Sequence, residues 1–219
     1  MAKKILIVAA HPDDEILGCG ASVAKLVQEG YEAYTLILSH GKDSREVTSD
    51  FEAFEKEILA ANKAIGVSKV FMESFPDNRF DSVDLLDIVK AISKVTELLK
   101  PDMVFTHYEN DLNIDHTITY KALLTATRPM QGESVKEIYS FEILSSTEWN
   151  YPLSFSPDTF FDISNTLDLK LNAMQEYQSE LREYPHPRSL KGIELNATYQ
   201  GMRVGTTYVE AFKSVRVLR

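Results

Sequence analysis

The sequence predicts an α/β fold in which a mostly parallel central sheet carries helices on both faces. Residues 4–10 form a short, almost continuous apolar run rich in β-branched side chains, typical of a strand buried on both faces of such a sheet. Strand-like and helix-like segments then alternate over the first two thirds of the chain, which implies crossover connections between parallel strands. The 219 residues, 44% of them hydrophobic, suffice for one sizeable core.

Start and stop signals bound the individual elements. After the first strand, apolar residues recur at helical spacing and Gly30 follows as a stop signal. Gly66 and Pro101 end later helices in the same way. In chain order we predict strand 4–10, helix 16–29, strand 31–39, helix 51–65, strand 69–75, helix 84–99, strand 103–107, helix 116–127 and strand 138–144.

The last third of the chain is less regular. It predicts a strand at 160–163, helices at 167–181 and 190–201, and a strand at 208–217. Because no linker, repeat or low-complexity stretch interrupts the chain, we expect a single domain over residues 1–219. Residues 1–145 would form the core sheet and the functional site, and residues 146–219 an α/β extension that covers this site.

Composition bears on partners and location. With 23 basic against 33 acidic residues, a formal net charge of -10 and no basic cluster, nucleic acid is not expected as a partner. The single cysteine, Cys19, allows no intrachain disulfide. The apolar run at 5–10 is too short for a signal-peptide core or a membrane span, so we expect a cytoplasmic protein. Whether it forms a homo-oligomer stays open.

Polar residues follow two strands that a doubly wound sheet places side by side. The motif 11–15 (HPDDE) ends the first strand, and the segment 111–116 (DLNIDH) follows the fourth. Such sheets bind ligands beyond the carboxyl ends of their strands, at the point where the strand order reverses. We therefore expect these two His/Asp clusters to meet in one crevice.

The residue types in the two clusters suit a catalytic zinc ion. Such an ion takes three imidazole or carboxylate ligands and keeps a fourth position for water, and His11, Asp14 and His116 can supply that set. Asp13 would take a proton from the metal-bound water, whose pKa falls to about 7. The alternative for Asp13 and Asp14 is helix capping, because acidic residues favour the positive end of a helix dipole. The second cluster favours the metal role.

The motif 10–15 (AHPDDE), followed by 18–21 (GCGA) and later by Asp115 and His116, resembles the LmbE-like/PIG-L family of zinc-dependent N-acetylglucosamine deacetylases. The resemblance implies a Rossmann-like three-layer sandwich. It also implies a hydrolase that removes an N-acetyl group from an amino sugar or sugar conjugate by attack of a zinc-bound water.

Carried over by position, the resemblance implies that Zn²⁺, or another divalent transition metal, binds His11, Asp14 and His116, with Asp13 as the general base. Asp115 would orient the site through its hydrogen bonds. Glu15 would support the entry into the helix and the surroundings of the ligands, and helix capping explains this residue equally well.

Asn113 departs from the pattern, because some family members carry there a histidine that stabilises the tetrahedral intermediate. Asparagine can donate a hydrogen bond to a developing oxyanion but cannot deliver a proton at neutral pH. We therefore expect Asp13 to pass its proton on to the leaving amine. His186 is the alternative acid.

Four residues are candidates for holding the substrate. The family usually carries an arginine near Arg45 that contacts sugar hydroxyls. Asp77 and Arg79 lie on a loop that resembles a recurrent family loop, although a self-contained turn explains that loop equally well. Arg188, in a proline-bracketed segment, would meet a phosphate or an acidic sugar. That segment resembles a subgroup linked to surface-polysaccharide or nucleotide-sugar metabolism, and a rigid turn is its alternative explanation.

Other functions compete with the deacetylase. A nucleotide-binding Rossmann module would carry a Gly-x-Gly-x-x-Gly motif, but Gly18 and Gly20 are followed by Val23. A metal-dependent amidase acting on a different acylated small molecule would share the same first cluster. A scaffold that has lost activity is the third alternative, and metal analysis would separate it from the other two.

Overall fold

The computed structural model describes residues 2–40 and 51–219. The elements, in chain order, are β1 (Lys4–Ala9), α1 (Asp14–Gln28), β2 (Glu32–Ser39), α2 (Phe51–Ala64), β3 (Lys69–Phe75), α3 (Leu85–Leu99), β4 (Met103–His107), α4 (Ile114–Ala126), β5 (Glu137–Phe141), β6 (Thr159–Asp162), α5 (Leu167–Glu176), α6 (Leu190–Val204) and β7 (Val209–Val217). Among the residues described, no helix is long and apolar enough to cross a membrane.

One seven-stranded sheet runs in the order β3-β2-β1-β4-β5-β7-β6. Strands β1 to β5 pair in parallel, and β7 pairs antiparallel with both β5 and β6. The predicted α/β class with a mostly parallel sheet is therefore confirmed. Strands β1 and β4 are direct neighbours, with Val8 opposite Thr106, so the order reverses between them as predicted.

The core lies on both faces of the sheet. Ile5 and Ile7 of β1 pack on the face covered by α1, α2 and α5, whereas Leu6 and Val8 pack on the face covered by α3 and α4. All four side chains are fully buried, and each such burial contributes about 1.5–3 kcal/mol. Burial of both faces is the reason that β1 is apolar without alternation.

Most predicted bounds lie within a few residues of the observed ones, but the helix predicted at 167–181 was wrong at its end. Helix α5 stops at Glu176, because the next residue, Tyr177, turns its fully buried ring into the core. Helix α4 begins earlier than predicted, at Ile114, because the Asn113 side chain accepts a hydrogen bond from the Asp115 N–H and caps it. The stop signal at Gly30 has φ +95°, as a left-handed cap requires.

Candidate metal centre

Three candidate ligand atoms meet at the carboxyl edge of the sheet. His11 follows β1, Asp14 is the first residue of α1, and His116 lies in the first turn of α4. His11 Nδ1, Asp14 Oδ2 and His116 Nε2 are each 3.3 Å from the other two. A tetrahedral ion with ligand bonds of about 2.0–2.1 Å places neighbouring ligand atoms about 3.3 Å apart. Both the chemistry and the spacing of this set fit zinc.

The second ring nitrogen of each histidine faces a carboxylate. His11 Nε2 lies 3.0 Å from Asp115 Oδ2 and 3.2 Å from Asp77 Oδ1. His116 Nδ1 lies 3.1 Å from Asp111 Oδ1. Protons on these outer nitrogens leave the inner nitrogens of His11 and His116 with lone pairs directed at one point, the tautomer that a metal ligand needs.

His11, Asp77 and Asp115 form a second group with the spacing of metal ligands. This group offers one histidine nitrogen, and Asp115 Oδ1 already accepts the Phe80 N–H at 2.9 Å. Asp115 is also fully buried beneath His11. Asp77 and Asp115 are therefore placed where they can orient the His11 ring.

Negative charge dominates around the three ligand atoms. Burial lowers the pKa of His11, but hydrogen bonds with Asp115 and Asp14 outweigh it and raise that pKa to about 10. Burial likewise lowers the pKa of His116, and Asp14 and Asp111 raise it to about 9. Burial raises the pKa of Asp14, yet the neighbouring histidines hold it well below its ordinary value. The site thus favours positive charge, which a divalent cation supplies.

Asp13 is buried beside the ligands in a strained backbone conformation, with φ +92°. Its side chain makes no capping bond to α1, so capping does not account for it. Instead Asp13 Oδ2 accepts a hydrogen bond from Arg188 Nη1 at 2.8 Å, while Arg188 Nε donates to Ser145 Oγ at 2.8 Å. Burial raises the pKa of Asp13 well above its ordinary value, although Arg188 opposes that shift.

A polar pocket of about 210 Å³ opens above the ligand atoms. The residues already predicted for the site that line it are His11, Asp13, Asp14, Asp77, Asn113, His116 and Arg188. The other lining residues are Pro12, Asn78, Ile143, Ser145, Ser146 and Glu180. Arg188 and Glu180 come from the last third of the chain, so residues distant in sequence share one wall.

Of the predicted site residues that the structure describes, three do not line this pocket: Asp115, Arg79 and His186. Arg79 is exposed at the start of a short 3₁₀ turn. The His186 Nδ1 accepts the Arg188 N–H at 3.1 Å, and the His186 ring lies 5.9 Å from that of Trp149. Arg45 lies outside the described residues.

Most of the hydrogen-bonding capacity of the Asn113 side-chain amide is used within the protein. Its Oδ1 accepts the Asp115 N–H at 2.9 Å, and its Nδ2 donates to Asn78 Oδ1 at 3.1 Å. Asn78 in turn donates to Asp77 Oδ1 at 3.2 Å. Within the described part of the chain, one Nδ2 hydrogen of Asn113 is left for a substrate oxygen.

His107 and Asp111 also support the centre, although they were not predicted to do so from the sequence. His107 is fully buried, accepts the Ala10 N–H at its Nε2 and stacks on His116 with ring centroids 4.0 Å apart. Burial and the neighbouring His116 lower the pKa of His107 well below its ordinary value, so it stays neutral. Asp111 accepts hydrogen bonds from the hydroxyls of Ser146 and Thr147. A polar side chain ending the apolar strand β4 was the available signal for His107.

The fold and the site define a doubly wound α/β protein with a His/Asp centre at the switch point of its sheet. A family model described as "PIG-L: GlcNAc-PI de-N-acetylase" matches residues 6–127, a stretch that includes both His/Asp clusters. The chain belongs to the PIG-L family.

Proteins similar to this chain are named for different reactions. A probable N-acetyl-alpha-D-glucosaminyl L-malate deacetylase 2 from Bacillus cereus is 25% identical over 82% of this chain and 84% of its own length. A 4-oxalmesaconate hydratase from Pseudomonas putida is 27% identical over 83% of this chain and 76% of its own. The structure of an N,N'-diacetylchitobiose deacetylase from Pyrococcus horikoshii superposes with a TM-score of 0.78 at 20% identity, covering 98% of this chain and 84% of that one. This last similarity bears on the fold alone.

Proposed function

We propose that this protein is a metal-dependent hydrolase, with zinc as its metal, that removes the N-acetyl group from an amino sugar or sugar conjugate. The observation that carries the proposal is the triangle of His11 Nδ1, Asp14 Oδ2 and His116 Nε2, with edges of 3.3 Å, beside the Asp13 carboxylate in a polar pocket. Membership of a family described as de-N-acetylases supports the reaction type.

A divalent ion held by these three residues would supply a water that ionises near neutral pH and an electrophile for the acetyl carbonyl oxygen. Asp13 accepts the proton of the attacking water, since its carboxylate reaches the pocket next to Asp14. Arg188 keeps that carboxylate directed into the pocket through its 2.8 Å hydrogen bond. Asp115 fixes the ring of His11 so that Nδ1 faces the same point.

The leaving amine needs a proton, and Asp13 is the residue placed to return one. Asn113 donates its remaining amide hydrogen to the developing oxyanion, which requires no change of charge. His186 is the second candidate acid, and it would have to move to reach a substrate in the pocket, because it is not among the lining residues.

The pocket walls indicate where the sugar binds. Asp77 and Arg188 line the pocket and hold hydrogen-bonding atoms for hydroxyl or acidic groups of the substrate. Arg79 is proposed for parts of the substrate that extend beyond the pocket. Arg45, which lies outside the described residues, is proposed as a contact to sugar hydroxyls. The volume of about 210 Å³ lies below the range of about 300–1,000 Å³ usual for ligand pockets, which supports a small buried group such as the acetamido sugar.

Hydration of an unsaturated acid is the second candidate function, because one relative of similar identity is a hydratase. A hydratase adds water across a carbon–carbon double bond and releases nothing, whereas a deacetylase liberates acetate and a free amine. The two activities are therefore separable by their products.

The test uses purified protein loaded with Zn²⁺ and a panel of N-acetylated amino sugars, sugar conjugates and nucleotide sugars. We expect acetate release from at least one of them, roughly one tightly held ion per chain, and loss of that ion in His11→Ala and Asp14→Ala. Metal binding without acetate release, together with loss of ultraviolet absorbance from an unsaturated dicarboxylate, would replace the deacetylase by the hydratase. Unchanged metal content in both alanine variants would remove the proposed centre.

A further inference from the structure

The backbone of Asp13 is held at both of its polar groups. A positive φ is unfavourable for any residue with a side chain and persists only where surrounding contacts enforce it. The Asp13 N–H donates to Glu15 Oε2 at 3.1 Å, and the Asp13 carbonyl accepts the Leu17 N–H at 2.9 Å. Both Glu15 and Leu17 are in turn bonded to the last third of the chain.

The first connection runs through Glu15 to Tyr177. Glu15 Oε1 accepts the Tyr177 hydroxyl at 2.5 Å and Asn62 Nδ2 at 2.8 Å. The side chains of Glu15 and Tyr177 are fully buried, and Tyr177 directly follows α5. The carboxylate that binds the Asp13 N–H is therefore fixed from the side of α5.

The second connection runs through Leu17 to Lys170 of α5. Lys170 Nζ donates to the Leu17 carbonyl at 2.7 Å and pairs with Glu210 Oε1 of β7 at 2.5 Å. Glu210 also accepts the N–H groups of Ala21 and Ser22, at 3.2 and 2.6 Å, inside α1. In a helix interior these backbone groups ordinarily bond only within the helix. Buried side chains therefore enter the hydrogen-bond ladder of α1 from one turn beyond Asp13, at Leu17, to more than two turns beyond it, at Ala21 and Ser22.

We infer that α5 is a positioning element for the base: Tyr177 and Lys170 hold Asp13 in its strained conformation through the N–H and carbonyl of its own backbone. Neither side chain lines the pocket, so each acts through Asp13 and is not catalytic itself. A shift of about 1 Å in a reacting group costs about 100-fold in rate. The inference rests on the proposed function for its kinetic readout only.

Tyr177→Phe tests the first connection, because it removes one hydroxyl and keeps the buried ring. We expect kcat to fall at least about tenfold, KM to change less than about twofold, and the Zn²⁺ content to stay at the unmodified level. The Asp13 amide should exchange its hydrogen faster, because Glu15 loses a partner that fixes it. Tyr139→Phe is the matched control, since the hydroxyl of the buried Tyr139 also donates to a carboxylate, that of Glu137 at 2.6 Å. Glu137 begins β5 and therefore lies at the edge of the sheet opposite the metal centre.

Lys170→Met with Glu210→Gln tests the second connection. The paired change removes both charges, so no unpaired buried charge is left to unfold the protein. We expect a lower kcat at unchanged Zn²⁺ content, and Lys170→Arg should recover part of the activity because it keeps a donor for the Leu17 carbonyl.

The outcomes separate the two proposals. Normal kcat and normal Asp13 exchange in Tyr177→Phe, matching Tyr139→Phe, would overturn the positioning role. If the unmodified protein releases acetate from none of the N-acetylated sugars, the proposed function fails. Even then, faster Asp13 exchange in Tyr177→Phe but not in the control would support the positioning role, and equal exchange would overturn it.

Discussion

Asp13 combines three properties at the scale of a single residue: a buried carboxylate, a left-handed backbone and an ion pair with Arg188. Asparagine has the same shape and keeps an oxygen for the Arg188 hydrogen bond, but it cannot accept a proton. We therefore expect Asp13→Asn to keep its Zn²⁺ and to lose about 10²–10⁴-fold in kcat. Acetate release and elemental analysis of the same sample measure both quantities. A fully active Asp13→Asn protein would show that another group takes the proton.

Asp111 supports the centre without touching the pocket, since it lies 3.1 Å from His116 Nδ1 and binds two hydroxyls. Loss of its charge weakens the hold on the His116 ring. We expect Asp111→Asn to lower the Zn²⁺ affinity about 10–100-fold, as measured by competition with a chelator. Asp158→Asn, at an exposed aspartate, is the control and should leave the affinity unchanged. If Asp111→Asn and Asp158→Asn bind Zn²⁺ equally well, Asp111 stabilises only the loop that contains Ser146 and Thr147 and does not support the metal ligand His116.

At this scale the sequence predicted the residues near the chain motifs and missed those that depend on packing. The sequence predicted the ligands His11, Asp14 and His116, because their residue types and their positions after β1 and β4 can be recognised without the structure. The Asp13–Arg188 pair joins residues 175 positions apart, and no local pattern encodes which pocket residue the arginine meets. Arg188 was accordingly predicted to hold substrate, and its contact with Asp13 was not foreseen.

Helix α1 shows how an element is fitted to its place. Gly18 lies where an added Cβ would overlap the ring of Phe141 on β5, whereas a Cβ on Gly20 would lie 3.2 Å from Ile16 Cγ2 within the same helix. Alanine favours a helix over glycine by about 1 kcal/mol at either position. Any difference in stability between Gly18→Ala and Gly20→Ala therefore comes from packing against neighbouring side chains.

We expect Gly18→Ala to destabilise the protein by about 1–3 kcal/mol in urea unfolding, and Gly20→Ala to cost clearly less. The double variant Gly18→Ala with Phe141→Leu replaces the facing ring by a smaller side chain. We expect it to recover part of the lost stability, because the two positions share one contact. Equal stability of the two single variants would mean that the Phe141 ring moves aside freely.

The order of elements could be predicted where local signals repeat, but the edge of the sheet could not. Glycine stops, a proline and buried apolar runs mark β1 to β5, and the switch point between β1 and β4 follows from the usual order of doubly wound sheets. Strand β7 lies between β5 and β6, and no local pattern in the sequence encodes this insertion. The early end of α5 was missed for a related reason, because the burial of Tyr177 depends on contacts with residues distant in sequence, such as Glu15.

The whole molecule carries a net charge of -10, and part of that excess is gathered in the pocket as buried aspartates around two histidines. Such a site exists only in the folded chain, so an ion that binds it stabilises folding by mass action. At a free Zn²⁺ concentration about 100 times Kd, the gain is about 2.7 kcal/mol. For a chain of this size, that corresponds to a rise in Tm of roughly 5–10 °C.

We expect this rise in a thermal scan of the unmodified protein with added Zn²⁺, its reversal by a chelator, and its absence in His116→Ala, which lacks one ligand. An acidic surface could also attract cations, and His116→Ala decides between the two causes because it leaves every carboxylate in place. A shift of equal size in that variant would place the stabilising ion on the surface. A shift confined to the unmodified protein would show that the ion stabilises the whole fold through the three ligand atoms, which come from the residue His11 after β1 and from α1 and α4.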